Sequence, residues 1–284
     1  MTAMIVEIKN LEYSYGGARK VLQGINLVFD HPGLYCIIGP NGVGKSTLVK
    51  CINGISKPTS GDVLLDGTSV RSMKLREISK RIGYVPASTG DCFSMPVLEA
   101  IMIGRYNHQK MKTSRRDVEM VHRAMDLLGL EELADRGFNE LSAGQHQKVA
   151  LARGLVTEAE MLILDEPTSN LDIRHQIYVT ELLRAIAEEQ DKIILMICHD
   201  LNIAARYAHH VIVMEPPGVI HSQGTPKETI TESMLQEVYG VDCKVLLDGD
   251  IPFMKLGFAL PEDRIPRSAS RRFIGPNDHM GHPL

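Results

Sequence analysis

The chain has 284 residues, 44% of them hydrophobic, and its 31 Lys and Arg against 35 Asp and Glu leave a net charge of −4. That length suits one large or two modest domains with a substantial core, and the mildly acidic balance argues against nucleic-acid binding as the main activity. No apolar run approaches the ~20 residues needed to cross a bilayer, and the start, Met1 to Glu7, lacks the cationic and apolar regions of a signal peptide. The chain is therefore expected to be made and kept in the cytosol. Five cysteines (Cys36, Cys51, Cys92, Cys198, Cys243) are dispersed without a C-x-x-C pair, which reads as buried or reduced thiols and not as a metal site or disulfide framework.

In chain order, Ile5, Ile8, Leu11, Tyr13 and Tyr15 mark a first strand, Gly16-Gly17 a turn, and Ile25, Leu27 and Phe29 alternate along a second strand. Leu34 to Ile38 is a short, nearly continuous apolar run, as in a strand buried on both faces of a parallel sheet. A helix is expected from about Lys45 to Asn53, stopping at Gly54, and then a Val63–Leu65 strand with an Asp66-Gly67 turn. Residues from about 95 to 158 carry helical patterns, many methionines and no convincing strand, so they read as a helical insertion. Strands resume at Met161–Leu164, Ile193–Cys198 and Val211–Met214, with a helix through roughly 172–189. Alternation of strand and helix in this order predicts an α/β core with a parallel sheet. Beyond about Tyr239 the pattern weakens, and the stretch from Pro261, with Arg264, Arg267, Arg271 and Arg272, reads as a mobile tail.

Two segments carry most of the chemistry. Gly39-Pro40-Asn41-Gly42-Val43-Gly44-Lys45-Ser46 follows a buried strand and opens a helix, the context that a phosphate-binding loop requires. Asn41, Gly42 and Gly44 belong to a stretch whose backbone N–H groups can curl around phosphate oxygens, aided by the helix N-terminus. Lys45 can reach the β- and γ-phosphates, Ser46 can ligate Mg²⁺, and Thr47 can approach the α-phosphate. The second segment, Met161-Leu162-Ile163-Leu164-Asp165-Glu166, is an apolar strand ending in two carboxylates. In a phosphate-loop enzyme the first, Asp165, holds Mg²⁺ through its water shell. Glu166 is then placed to orient or deprotonate an attacking water.

Together with Leu141-Ser142-Ala143-Gly144-Gln145 and Pro167-Thr168-Ser169-Asn170-Leu171-Asp172, these segments resemble the ATP-binding-cassette (ABC) family over roughly residues 4–240, with the motifs in matching order. The resemblance implies a P-loop α/β fold with an N-terminal antiparallel β-subdomain and a helical subdomain. The cassette is expected over 1–240, with the helical subdomain at about 95–158 and a C-terminal extension over 241–284. It implies ATP and Mg²⁺ as ligands, and two copies closing head to tail around two ATP molecules. Ser142, Gly144 and Gln145 then face the nucleotide held by a partner's Lys45 and Asp165. Ser142 can cap the helix that begins near Ala143, while Gly144 permits close backbone approach.

By the same resemblance, His199 matches the histidine that contacts the γ-phosphate, Asp172 the acid that links the two sites across the dimer, and Tyr15 the aromatic residue that stacks on adenine. Tyr13 competes with Tyr15 for that role. Two positions depart from the pattern. Ala143 replaces the usual first glycine of the Leu141–Gln145 motif, a mild change. Ile82-Gly83-Tyr84-Val85-Pro86 leads in the family to a glutamine that touches Mg²⁺ and moves with the membrane domain, and here that position is Ala87, which has no side-chain oxygen. Ser88, Thr89, Asp91 or a water are candidates to replace it.

No sustained heptads, second cassette or fused membrane span is present, which leaves a separately encoded transport ATPase at the cytoplasmic face of the cell membrane. Met95–Ala100 with Ile103-Gly104-Arg105-Tyr106 resembles the subgroup importing iron–siderophore complexes, haem and vitamin B12, as do Gly39-Pro40-Asn41-Gly42 and His199-Asp200-Leu201-Asn202. The implied partners are integral membrane permease subunits and, indirectly, a substrate-binding protein, with no nucleic acid. Methionines 95, 102, 111, 120 and 125 read either as an adaptable docking surface or as core filler, the commoner use. The alternative function is a soluble ABC ATPase with a regulatory or assembly role and no permease.

Overall fold

A computed structural model describes residues 4–16, 19–87, 95–107 and 113–259. The first strands, β1 (Val6–Tyr15) and β2 (Arg19–Phe29), pair antiparallel and lead into β3 (Gly33–Ile38) and helix α1 (Lys45–Ile52). Strands β4 (Ser60–Leu65) and β5 (Thr68–Ser69) complete a four-stranded antiparallel sheet in the order β2-β1-β4-β5. Helix α2 (Leu75–Arg81) runs directly into β6 (Ile82–Val85), after which α3 (Val97–Met102), α4 (Arg115–Leu128) and α5 (Ala143–Leu155) form the expected helical insertion.

The α/β alternation then returns with β7 (Met161–Asp165), α6 (Ile173–Glu189), β8 (Ile193–Ile197), α7 (Leu201–Tyr207), β9 (His210–Glu215) and β10 (Val219–Gly224). The central sheet has the order β10-β9-β3-β8-β7-β6, parallel throughout except for β10, which turns back along β9. None of the described helices is long and apolar enough to cross a membrane.

The period of two along a strand explains the two cores. Leu34, Cys36 and Ile38 of β3 face the helices α3 to α7, whereas Tyr35 and Ile37 face α1 and the antiparallel sheet. Both faces of β3, β7 and β8 are fully covered, which is why these strands read as unbroken apolar runs. Met125 is fully buried, and Met95 and Met102 pack against the same cluster, so these three are core residues; Met111 lies outside the described residues. Cys36, Cys51, Cys198 and Cys243 are free and buried, and Cys92 lies outside the described residues.

The fading pattern after Tyr239 hides regular structure. Helices α8 (Pro226–Thr229) and α9 (Glu232–Tyr239) lead into a hairpin of β11 (Val241–Asp248) and β12 (Ile251–Ala259). Cys243 and Met254 are buried while Leu246, Leu247 and Phe253 are exposed, so apolar residues lie on both faces and no clean alternation is left to read. A signal was available: Gly249-Asp250 joins the paired residues Asp248 and Ile251, and Gly249 takes φ 64 in this two-residue turn. The hairpin is tied to the domain through Val245 N–H on Glu232 (3.0 Å) and Met254 N–H on Asn202 Oδ1 (3.4 Å). The tail from Pro261 lies outside the described residues.

One buried ion network fixes the helical insertion. Arg105, 3% exposed, donates to Asp117 (2.8 Å), to Glu158 (2.7 Å) and to the Val156 carbonyl (2.7 Å). Asp117 also closes the capping box of α4 with Ser114. The Ser114 hydrogen bonds, then the Arg105 guanidinium, hold the Asp117 carboxyl down at about 2. Removing one partner strands a buried charge, which costs about 3–5 kcal/mol. Asp117→Ala is therefore expected to lower the unfolding free energy by that amount at pH 7. Because the folded carboxyl titrates below its ordinary value of about 3.9, this contribution is complete above that value and fades as pH falls towards about 2. Urea unfolding of both proteins at pH 7 and about pH 3 checks the narrowing gap.

Candidate functional site

The turn between β3 and α1 is shaped by glycines where side chains have no room. A Cβ on Gly39, at φ 147, would stand 2.3 Å from the Met214 carbonyl oxygen, and one on Gly44, at φ 110, would press on Leu22 and Val21. Gly44 is the N-cap of α1 and leaves the helix start without a side-chain cap, so its first N–H groups stay open towards an anion. Asn41 and Gly42 are exposed at the tip of the loop, and Lys45 and Thr47 are buried at its base. With Tyr15, Lys20, Glu166, Pro216 and Pro217 the loop lines a cleft of about 610 Å³. The proline pair was not singled out in the sequence, although Pro-Pro-Gly directly after a strand is itself a turn signal.

The Lys45 ammonium donates to the carbonyls of Gly39 (2.7 Å) and Pro40 (2.9 Å). Burial pulls its pKa down, opposed by the nearby charges of Glu166 and Asp165. Asp165 shows the mirror image: burial raises its pKa, and a hydrogen bond from Ser46 Oγ at 3.1 Å works against that. A serine hydroxyl and a carboxylate are hard oxygen donors of the kind that a small divalent cation takes together with phosphates and water.

Glu166 begins the turn after β7 with φ 54, a left-handed backbone that costs a side-chain-bearing residue ~1–2 kcal/mol. Its carbonyl accepts from Ser169 Oγ (3.1 Å) and Gln147 Nε2 (3.2 Å), and these bonds hold the turn. Its carboxylate meets His199 Nε2 at 2.6 Å. The two candidate catalytic residues, 33 positions apart by number (199 − 166), are therefore in direct contact. His199 reaches this place because β8 lies beside β7 and ends level with it, Asp165 pairing with Ile197.

Tyr15 is 56% exposed at the cleft wall, with its hydroxyl 3.3 Å from Thr47 Oγ1. Tyr13 packs edge-on behind it against the core and does not line the cleft. An accessible face is what stacking on a planar base requires, so the geometry favours Tyr15.

The Leu141–Gln145 run starts α5. Ser142 Oγ accepts from Gln145 N–H, and the Gln145 side-chain oxygen accepts from Ser142 N–H at 2.9 Å, a closed capping box. The S-x-x-Q spacing of Ser142 and Gln145 announces this reciprocal pair as well as the serine cap. Ser142 is exposed, Gly144 and Gln145 are half-buried, and none of the three lines the phosphate-loop cleft of its own chain. Gly144 leaves little room, since a Cβ there would sit 3.2 Å from the Asn170 carbonyl. Asp172 is exposed and caps α6 through His175 N–H (2.9 Å); that bond and the His175 ring hold its carboxyl below the usual range.

Ala87 sits just beyond β6 and brings no polar atom, while Ser88, Thr89 and Asp91 lie outside the described residues. Between α2, β6 and the insertion runs a second cleft of about 540 Å³, lined by Asn53, Ile55, Leu75, Tyr84, Ile103 and Tyr106 among others. Tyr106 is 70% exposed there, Leu75 63% and Ile55 57%. Of the stretch expected near a docking groove, Ile103, Gly104 and Tyr106 line this cleft, whereas Arg105 is held in the buried ion network and Val97 and Ala100 of α3 are buried in the core.

Comparison with known proteins follows this geometry. The family profile described as ABC transporter matches residues 22–169. An ABC transporter ATP-binding protein of Methanocaldococcus jannaschii is 39% identical over 86% of this chain and 95% of its own. The ferric enterobactin transport ATP-binding protein FepC of Escherichia coli is 36% identical over 87% and 92%, respectively. A cobalamin import ATP-binding protein of Halobacterium salinarum is 34% identical over 87% of this chain and 61% of its own. Among solved structures, one described as a metal-chelate type ABC transporter in an inward-facing conformation aligns with TM-score 0.74 at 25% identity, covering 89% of this chain and 97% of that one. A dimeric bacterial ABC transporter cassette aligns with TM-score 0.70 at 26% identity, covering 78% and 98%.

Because a Cβ on Gly39 would overlap the Met214 carbonyl, Gly39→Ala is expected to distort the loop, lowering stability by about 2–4 kcal/mol and weakening nucleotide binding. Chemical unfolding and titration with a fluorescent ATP analogue measure the two effects.

Proposed function

Since the chain belongs to the ABC transporter family, as one of its ATP-binding subunits, we propose that it powers import of an iron chelate or cobalamin from the cytoplasmic face of the cell membrane. ATP occupies the cleft over Gly39–Thr47, with Tyr15 against the adenine. Lys45 exchanges its two loop carbonyls for the β- and γ-phosphate oxygens. Ser46 and Asp165 would hold Mg²⁺, which when bound would neutralise charge on the transferred phosphoryl group.

Glu166 takes the proton of the attacking water as its oxygen bonds to the γ-phosphorus, and the bond to ADP breaks with its electron pair leaving on ADP. His199, now on the Glu166 carboxylate, orients that base and turns towards the γ-phosphate when ATP is bound. The second copy supplies Ser142, Gly144 and Gln145 at the N-terminus of α5, where helix polarity favours the γ-phosphate charge, and Asp172 bridges the two sites.

The observation that carries this reading is the separation of two complete half-sites in one chain. A phosphate-loop cleft holds Lys45 and Glu166, while a rigidly capped helix start presents Ser142 to solvent away from it. Docking on a permease is supported by the second cleft, whose exposed Ile55, Leu75 and Tyr106 form an apolar rim. Asn53, buried in its lining, has an Nδ2 with no hydrogen-bond partner among the described residues, a donor suited to an acceptor on an incoming segment. A substrate-binding protein on the far side of the permease takes part without touching this chain.

Glu166→Gln is expected to slow hydrolysis by about 10²–10⁴-fold and to trap an ATP-bound dimer. Light scattering then gives twice the monomer mass with ATP and the monomer mass without it; a monomer persisting at saturating ATP overturns the split site. Purification from solubilised membranes is expected to bring down a multispan permease. Full function from a chain that purifies alone favours the regulatory or assembly role instead.

A further inference from the structure

The cleft between α2, β6 and the insertion is unbalanced in charge. Its lining includes Arg76 and Arg153 but no Asp or Glu. Arg76 is exposed to water, whereas Arg153 is half-buried. Among the described residues the Arg153 guanidinium has neither an ion partner nor a hydrogen bond, and burial alone pulls its pKa below the ordinary value. Arg105, buried nearby in the same subdomain, shows what such a group usually has, with Asp117 at 2.8 Å and Glu158 at 2.7 Å. Arg153 stands in the last turn of α5, where helix polarity favours a cation, but that polarity leaves its five N–H donors unused.

The same cleft has a surplus of donors at its base. Asn53 is 5% exposed, and its Oδ1 accepts from Ile55 N–H at 3.1 Å, which fixes the amide and leaves Nδ2 as the donor without a partner. The other amide of the lining, Asn107, is already spent on Ser79 Oγ at 2.8 Å. Around these groups Ile55, Leu75 and Tyr106 form the exposed apolar rim. A matching occupant therefore presents negative charge and hydrogen-bond acceptors among apolar side chains. A small inorganic anion would leave the rim uncovered. A nucleic-acid backbone calls for a row of cations, which two arginines on a chain of net charge −4 do not supply.

We propose that the segment seated in this cleft carries an Asp or Glu, and that Arg153 is the cation that receives its carboxylate. The inference rests on the reading of the cleft as the dock for a permease, and it adds the chemistry by which one segment is chosen over another. Arg153 shares α5 with Ser142, which caps the other end of the helix. A carboxylate held by Arg153 thus takes hold of the same rigid element that offers Ser142 to a partner's nucleotide.

The test uses the permease that co-purifies with the chain, reconstituted by itself in lipid nanodiscs and titrated with fluorescently labelled chain. Arg153→Met removes the charge and keeps an apolar stem. It is expected to weaken binding about 30-fold or more, while the unfolding midpoint and the affinity for a fluorescent ATP analogue stay unchanged. Crosslinking from Tyr106→Cys identifies the permease loop in the cleft. Neutralising the acidic residue of that loop is expected to cost as much as Arg153→Met, with no further loss when both changes are combined. Binding of Arg153→Met within about threefold of the parent, a parallel fall in stability or ATP-analogue affinity, a seated loop without Asp or Glu, or fully additive losses each overturns the proposal. If the unaltered chain binds no permease at all, the docking reading itself fails and the proposal with it. If the unaltered chain binds and Arg153→Met binds as well, only the role of Arg153 is wrong.

Discussion

The parallel register of β3, β8 and β7 is the constraint from which the site follows. Ile37 of β3 and Asp165 of β7 both lie opposite Ile197 of β8, so the three strands end level. The loop from Gly39, the acidic pair Asp165-Glu166, and His199 emerge together along the carboxyl edge, where open α/β sheets bind ligands. A slip of one residue between any two strands would turn buried positions to the other face of the sheet and separate these groups. Packing of Leu34–Ile38, Met161–Leu164 and Ile193–Ile197 into the two cores on either side of the sheet resists that slip. At about 1.5–3 kcal/mol for each fully buried large side chain, the same residues that hold the fold together hold the geometry of the candidate site.

Charge at this edge is balanced by mutual compensation. Burial disfavours the ammonium of Lys45 and the carboxylate of Asp165 alike, and each is kept nearer its charged form by the other. Lys45 meanwhile rests on two backbone carbonyls, contacts weaker than those a triphosphate offers an ammonium, and Glu166 rests on His199. The site is preorganised, and occupancy rearranges side chains more than backbone.

Much of this was legible in the sequence because the signals were local. Gly39–Thr47, Asp165-Glu166 and Leu141–Gln145 each combine a fixed residue spacing with a strand end or helix start, and most strands and helices up to β9 follow from periodicity, the short α2, β6 and α7 excepted. What escaped depended on contacts distant in sequence or on exposure. Arg105 met Asp117 and Glu158 only once α4 and α5 were packed. The β11–β12 hairpin has apolar residues on both faces, so its Gly249-Asp250 turn was a stronger signal than its periodicity. Asn53 shows the limit in the other direction: its orphaned Nδ2 belongs to a cleft that no reading of periodicity can locate.

The cleft over the phosphate loop also joins parts of the chain far apart in sequence, with Tyr15 and Lys20 from the antiparallel sheet, Glu166 after β7, and Pro216-Pro217 after β9. A ligand seated there touches both β-layers at once and binds only the folded chain. At a concentration one hundred times its dissociation constant, such a ligand adds about 2.7 kcal/mol to the folding free energy, comparable to a large core side chain. The nucleotide level of the cell is thus expected to act as a folding cofactor: when ATP is scarce, the chain is closer to unfolding and more open to proteolysis, and the amount of this protein follows the energy supply that it consumes.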